Sequence, residues 1–194
     1  MSGYTMTQTE VLYSGPPSAY PAAGTSSSSE VSAMVGATGD YSQPYWPGGF
    51  WQQGRQNQLV SVEFCILLSA QASATTFTLV AGLDTAANTI GGSTLLTFPS
   101  ALVTSYSGGN LYGCMTIQNR GSGYGTSSVA TSLQSQGYYI SQGNSTNVMG
   151  AAGPAALQTT DFSVNQWLYL TGQFSTSSGT NTATLATLIV RGEN

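Results

Sequence analysis

DFSVNQWLYLTGQFS, residues 161–175, and TATLATLIVR, residues 182–191, decide the fold. Apolar and polar residues alternate along both runs, and Ser177-Ser178-Gly179-Thr180-Asn181 lies between them. A period of two over about ten residues is the pattern of a long, half-buried strand. Two such runs around a Ser-, Gly- and Asn-rich turn have the form of a β-hairpin. They equally suit two core strands that cross between two sheets, and the length of the turn leaves that choice open. Between Asp161 and Arg191 no residue is charged. The side turned away from the core, with Trp167, Tyr169, Thr184 and Leu188 or their alternates, is a candidate subunit interface.

The same pattern extends upstream. From Gln58 to Ala70, Val60, Val62, Phe64, Ile66 and Leu68 share one face, and Leu59, Ser61, Glu63, Cys65 and Leu67 share the other. Burying the first five contributes on the order of 10 kcal/mol before entropy is counted. The second face is mixed, as expected of a surface covered in part by a neighbouring subunit or loop. Phe77, Leu79, Ala81 and Leu83 fall in register on Thr76–Leu83, so these two runs are expected to form a second hairpin. Short strands are expected within Ser93–Phe98 and Leu102–Tyr106, separated by Pro99. Leu111–Asn119 alternates again, and the Gly-rich Arg120–Gly125 connects it to a long polar strand, Ser127–Ile140, with Val129, Leu133, Tyr139 and Ile140 inward. Gly143–Ala156 reads as a loop of small residues. Glu10–Tyr13 reads as an edge strand ended by Gly15-Pro16-Pro17, because proline donates nothing to a ladder. Residues 1–24 are expected to form an extended arm around that strand, and residues 25–194 the main domain. With no helical period anywhere, the expectation is an all-β antiparallel β-sandwich, a jelly roll of about eight strands.

Composition narrows the function. Charged residues make up 5% of the 194, with three arginines, no lysine and no histidine, while hydrophobic content is an ordinary 40%. An ordinary soluble domain is about a quarter charged. The surface must therefore be built from Ser, Thr, Gln, Asn and Tyr, with 24 glycines supplying turns. Little charge repulsion separates copies of such a chain, which favours assembly. A net charge of −4 with scattered arginines points away from nucleic acid. No stretch reaches the ~20 apolar residues of a membrane helix, and the start of the chain lacks the basic and apolar regions of a secretory signal. Cys65 and Cys114 each sit in an apolar strand. In a protein assembled in a bacterial cytoplasm they are expected to be buried, reduced thiols.

Catalytic signals are weak. The acids Glu10, Glu30, Asp40, Glu63, Asp84, Asp161 and Glu193 are dispersed, so a glycosidase pair would have to be assembled by the fold. Without histidine or lysine the usual general bases are missing, and no metal or cofactor motif occurs. Tyr45-Trp46-Pro47-Gly48-Gly49-Phe50-Trp51 is dense in rings. It is either a stacking platform for a partner or a loop whose rings cover the end of the core. As a glycan-reading surface it would combine Tyr45, Trp46 and Trp51 with the Tyr138-Tyr139 pair.

Four stretches in order carry a family resemblance. They are Thr9–Tyr13; Phe50–Gly54 leading into Leu59–Leu68; Met115–Gly123; and the closing Asp161, Trp167–Thr171 and Asn181–Thr184. Through them the chain resembles jelly-roll virion structural proteins of tailed bacteriophages, head decoration (cement) or minor capsid proteins. The ring-dense stretch at 45–51 is more aromatic than that family's pattern. The resemblance implies a structural protein without catalytic residues, seated on the outside of a phage head against the major capsid protein. A homotrimer is expected, its N-terminal arm reaching a capsid subunit by strand addition. The alternative is a tail-fibre or baseplate module that recognises host glycans. Candidate interface residues are Tyr45, Trp46, Phe50, Trp51, Tyr138, Tyr139, Trp167 and Tyr169.

Overall fold

The computed structural model describes residues 9–15, 32–35, 43–48, 50, 59–70, 75–87, 89–99, 101–103, 106–119, 131–142, 148–153, 158–161, 163–175 and 182–193. Among them there is no helix, and 13 strands run antiparallel in two sheets. In chain order, β1 is Thr9–Gly15, β2 Ser32–Val35, β3 Tyr45–Trp46, β4 Leu59–Ala70, β5 Thr75–Asp84, β6 Ser93–Thr97 and β7 Ala101–Val103. Then follow β8 at Tyr106–Asn119, β9 at Thr131–Gln142, β10 at Val148–Ala152, β11 at Gln158–Thr160, β12 at Gln166–Phe174 and β13 at Thr182–Glu193. The larger sheet has 7 strands in the order β1-β13-β4-β8-β9-β10, with β11 also paired to β9. The smaller has 6, in the order β2-β12-β5-β6, with β3 on β12 and β7 on β5. The chain is therefore an antiparallel β-sandwich with more strands than the eight or so expected. The additional strands are short, and a few residues cannot display a period. Val148–Ala152, read as loop, is too rich in small residues to alternate, yet it pairs with Tyr138 and its neighbours on β9.

β4 and β5 do not form the expected hairpin, and of the two arrangements open to β12 and β13 the structure has the crossing. β13 pairs with β4 and β1, while β12 pairs with β5, β2 and β3. Each consecutive couple is split between the two sheets, so its apolar rows meet across the core instead of lying side by side. Residues 71–74 suffice for the crossing, since four extended residues reach roughly 14 Å and packed sheets lie about 10 Å apart. β8 and β9, by contrast, pair directly from Asn110↔Gln142 to Asn119↔Leu133, the hairpin expected around the Gly-rich connection. That connection lies outside the described residues.

The core follows the alternation. Val60, Val62, Phe64, Ile66 and Leu68 of β4 are all buried, as are Phe77, Leu79, Ala81 and Leu83 of β5. Phe64 meets Phe98 edge-on at 5.5 Å, and Phe98 in turn lies 6.4 Å from Tyr139. Gly113, opposite Phe64 on β8, makes room for that ring, because a Cβ there would stand 2.1 Å from Phe64 Cζ. On β9 the inward set is Leu133, Ser135 and Tyr139, so Ile140 belongs to the outer face, opposite Tyr112. β13 changes phase midway. A bulge between Leu185 and Thr187 turns the inward set from Ala183 and Leu185 to Leu188 and Val190. Leu188 is therefore a core residue, whereas Thr184, half-buried, stays on the other face.

Replacing Ile66 with Ala should lower unfolding free energy by about 2–5 kcal/mol, the range for truncating a buried aliphatic side chain. Thr97→Ala, at an exposed position of β6, should stay within about 0.5 kcal/mol. Urea denaturation of the two variants measures the contrast.

Candidate functional site

Two outer faces hold the candidate residues. On the smaller sheet, β12 points Leu168, Leu170 and Phe174 inward, leaving Trp167, Tyr169, Thr171 and Gln173 outward. The register sets Tyr45 of β3 beside Trp167 on one side and Asp84 of β5 on the other. Tyr45 and Trp167 stack at 4.6 Å between ring centroids, 26° from parallel, with Tyr45 52% exposed. Local contacts clamp this pair. Leu168 N–H donates to the Pro44 carbonyl, and Gln43 Nε2 donates to the Leu168 carbonyl at 2.8 Å. Gly48 N–H donates to Asn165 Oδ1, and a Cβ on Gly48 would stand 2.5 Å from the Ser163 carbonyl oxygen, so the close approach requires glycine. Asp161 Oδ1 accepts from both N–H and Oγ of Ser163, closing the turn that leads into Trp167. Those bonds hold the exposed Asp161 carboxyl below its ordinary value.

Further along the same face, Tyr169 stands opposite Gly82, whose missing side chain lets the phenol lie down over β5. Tyr169 is consequently 4% exposed although it points away from the core. Burial pushes its hydroxyl above the usual value, a hydrogen bond with Thr94 opposes this, and the Asp84 carboxylate adds to it. Beside the ring opens a hollow of about 270 Å³, lined by Thr78, Val80, Ile90, Thr94, Thr171 and Gln173.

The larger sheet's outer face has a different character. Leu67, Tyr112 and Tyr138 are each more than two-fifths exposed. Beside the two tyrosines runs a shallow groove of about 350 Å³, lined by Glu63, Cys65, Tyr112, Cys114, Tyr138 and Ile189. Glu63 forms an ion pair with Arg191, both partly exposed. A pair so open to water contributes at most about 1 kcal/mol. Cys65 and Cys114 are half-buried on this face rather than in the core, and no disulfide joins them. Burial raises the Cys65 thiol above its usual value, partly offset by a hydrogen bond with Tyr112. The outward placement follows from parity: each cysteine alternates with core residues on its own strand.

The ring-dense stretch divides. Trp46 is 2% exposed and plugs the core, Phe50 packs against the core from its edge, and Tyr45 faces solvent. Trp51 lies outside the described residues. The Tyr138-Tyr139 pair splits as strand alternation demands, Tyr138 outward at 48% and Tyr139 inward at 2%, and both sit on the opposite sheet from Tyr45. The expected platform of Tyr45, Trp46, Tyr138 and Tyr139 is therefore not assembled. The structure joins Tyr45 with Trp167 instead, residues about 120 positions apart whose proximity depends on β3–β12 pairing. Among the acids, Glu63 meets Arg191, Asp84 Oδ1 accepts from Ala86 N–H and Asp161 closes the Ser163 turn.

No protein-family model matches the chain, and no curated protein matches it. Among solved structures, a protein of unknown function from Shewanella oneidensis MR-1 aligns with 100% of this chain and 83% of its own, at 12% identity and a TM-score of 0.32. A likeness that weak bears on neither fold nor function.

The Asp161 carboxyl should titrate below the ordinary aspartate value of about 3.9 in an NMR pH series. Because its folded pKa is depressed, its contribution to stability is complete above that value and fades as pH falls through the lower folded midpoint. In Asp161→Asn that acid-side contribution should be gone, seen as a flatter dependence of melting temperature on pH below 4 or so.

Proposed function

We propose that the sandwich is a jelly roll and that the protein is a structural virion component, a homotrimer that decorates the outside of a phage head and stabilises it against the major capsid protein. Strand order supports the fold. Setting aside β3, β7 and the β9–β11 insertion, one sheet runs β1-β13-β4-β8 and the other β2-β12-β5-β6. Successive strands then cross between the sheets at every step except β5–β6, the interleaving of two Greek keys. Jelly rolls serve in capsids and in lectins, so topology alone does not choose the function.

The observation that carries the assembly role is the larger sheet's outer face. It leaves Leu67, Tyr112 and Tyr138 in solvent, and its ion pair, Glu63 with Arg191, carries no net charge. Exposed rings with balanced charge mark a protein contact surface. A second copy of the chain meets no electrostatic barrier there, and with so few charges overall, closed symmetry limits association to a defined oligomer. Three linked copies engage three capsid sites at once, so modest contacts add up to firm attachment. β1 is the last strand on its side of the larger sheet among the described residues. This position suits addition of a strand from a capsid subunit.

Light scattering of the purified protein should give three copies of the 20.0 kDa chain. Tyr112→Glu combined with Tyr138→Glu should shift it to monomer while melting remains cooperative. Antibody labelling of intact particles should decorate heads; label confined to tails, or a monomeric wild type at every concentration, would refute the reading.

A further inference from the structure

The smaller sheet's outer face carries a second feature, separate from the proposed assembly surface. Here we infer a binding site for a neutral saccharide, with the Tyr45–Trp167 stack as its platform and the hollow beside Tyr169 as its pocket. Three observations converge. Tyr45 and Trp167 present aromatic surface to solvent, and pairing with β12 and the Gly48–Asn165 hydrogen bond hold them in place. A sugar ring exposes a face of C–H bonds, which packs on such rings at little entropic cost because the rings are already fixed.

Next, Trp167 and Tyr169 are two residues apart on one face of β12, so the Tyr169 ring stands between the platform and the hollow that it lines. There Thr78, Thr94, Thr171 and Gln173 supply hydroxyl and amide groups, while Val80 and Ile90 supply apolar wall. Polar groups that both donate and accept, set among apolar ones, are the means of recognising a polyol. Its volume, about 270 Å³, suits one or two sugar residues rather than a folded partner. Finally, the charge is wrong for anions. Asp84 stands opposite Trp167, and no arginine lines the hollow. A carboxylate accepts hydrogen bonds from sugar hydroxyls and repels phosphate, sulfate or sialic acid.

The neighbouring backbone makes the site a built one. Gly82 lets Tyr169 lie flat, and Thr94 fixes its hydroxyl. Gly91, at φ 143°, turns the segment that brings Ile90 over the hollow, in a backbone region where other residues are strained.

The test uses the full chain. A panel of uncharged oligosaccharides built from glucose, galactose, mannose, rhamnose and N-acetylhexosamines is titrated while tryptophan emission and calorimetric heat are recorded. Sialylated and phosphorylated counterparts form the second arm. At least one neutral sugar should bind with a dissociation constant of roughly 10 μM to 1 mM, with a change in tryptophan emission. Trp167→Ala and Tyr45→Ser should each weaken it about tenfold or more, and Thr94→Val should weaken it without altering the fold, checked by melting. Tyr45 is exposed, so its variant keeps the test open if Trp167→Ala fails to fold. No binding by any neutral sugar, tighter binding of the anionic arm, or binding indifferent to Tyr45 and Thr94 overturns the inference. None of these outcomes bears on oligomer size or head labelling.

Discussion

The sandwich depends on two apolar rows held face to face. β4 and β12 are flanked by partners on both sides, and each directs large aliphatic and aromatic side chains between the sheets. Each such side chain contributes about 1.5–3 kcal/mol when fully buried. A sheet with only one apolar face is not stable alone, so the two must cover one another. This constraint explains why the chain crosses between sheets after β4 and again after β12. It also explains the glycines: Gly113 under Phe64 and Gly82 under Tyr169 stand where a neighbouring ring has taken the space.

Once the inner faces are committed, the outer faces are left for function, and they differ. The larger sheet turns out a broad surface of exposed rings and half-buried thiols around one neutral ion pair. The smaller turns out a ring pair and a hollow lined with hydroxyls, with a carboxylate alongside. Scarcity of charge unites them. Neither face gains specificity from long-range fields, so recognition rests on shape, stacking and hydrogen bonds at close range. Surfaces of that kind suit persistent assembly on one side and weak, repeated contact on the other.

Much of the sandwich was legible in the sequence because burial on one face imposes a period of two. Val60 to Leu68, Phe77 to Leu83 and the β8–β9 hairpin all lie as the alternation requires. Partner choice was not legible. Two runs close in sequence look like a hairpin whether they pair or cross, since the side-chain pattern is the same in both. Phase could also be lost without trace. The bulge after Leu185 moves Leu188 from the outer face to the core, and no residue type announces it. Among the candidate site residues, Trp46 and Tyr139 proved to be core, which alternation could have indicated for the Tyr138-Tyr139 pair, since adjacent strand residues cannot share a face.

By itself, then, the sequence determined an all-β chain with a charge-poor surface, because period and composition act locally and need no partner. Only the tertiary structure decided which strands are neighbours, and so which rings meet. Tyr45 and Trp167 stack because β3 pairs with β12, and Tyr169 lies flat because β5 brings a glycine opposite it. Those juxtapositions join residues far apart in the chain, and long-range pairing is set by how the sheets close over the core, not by the character of any one stretch.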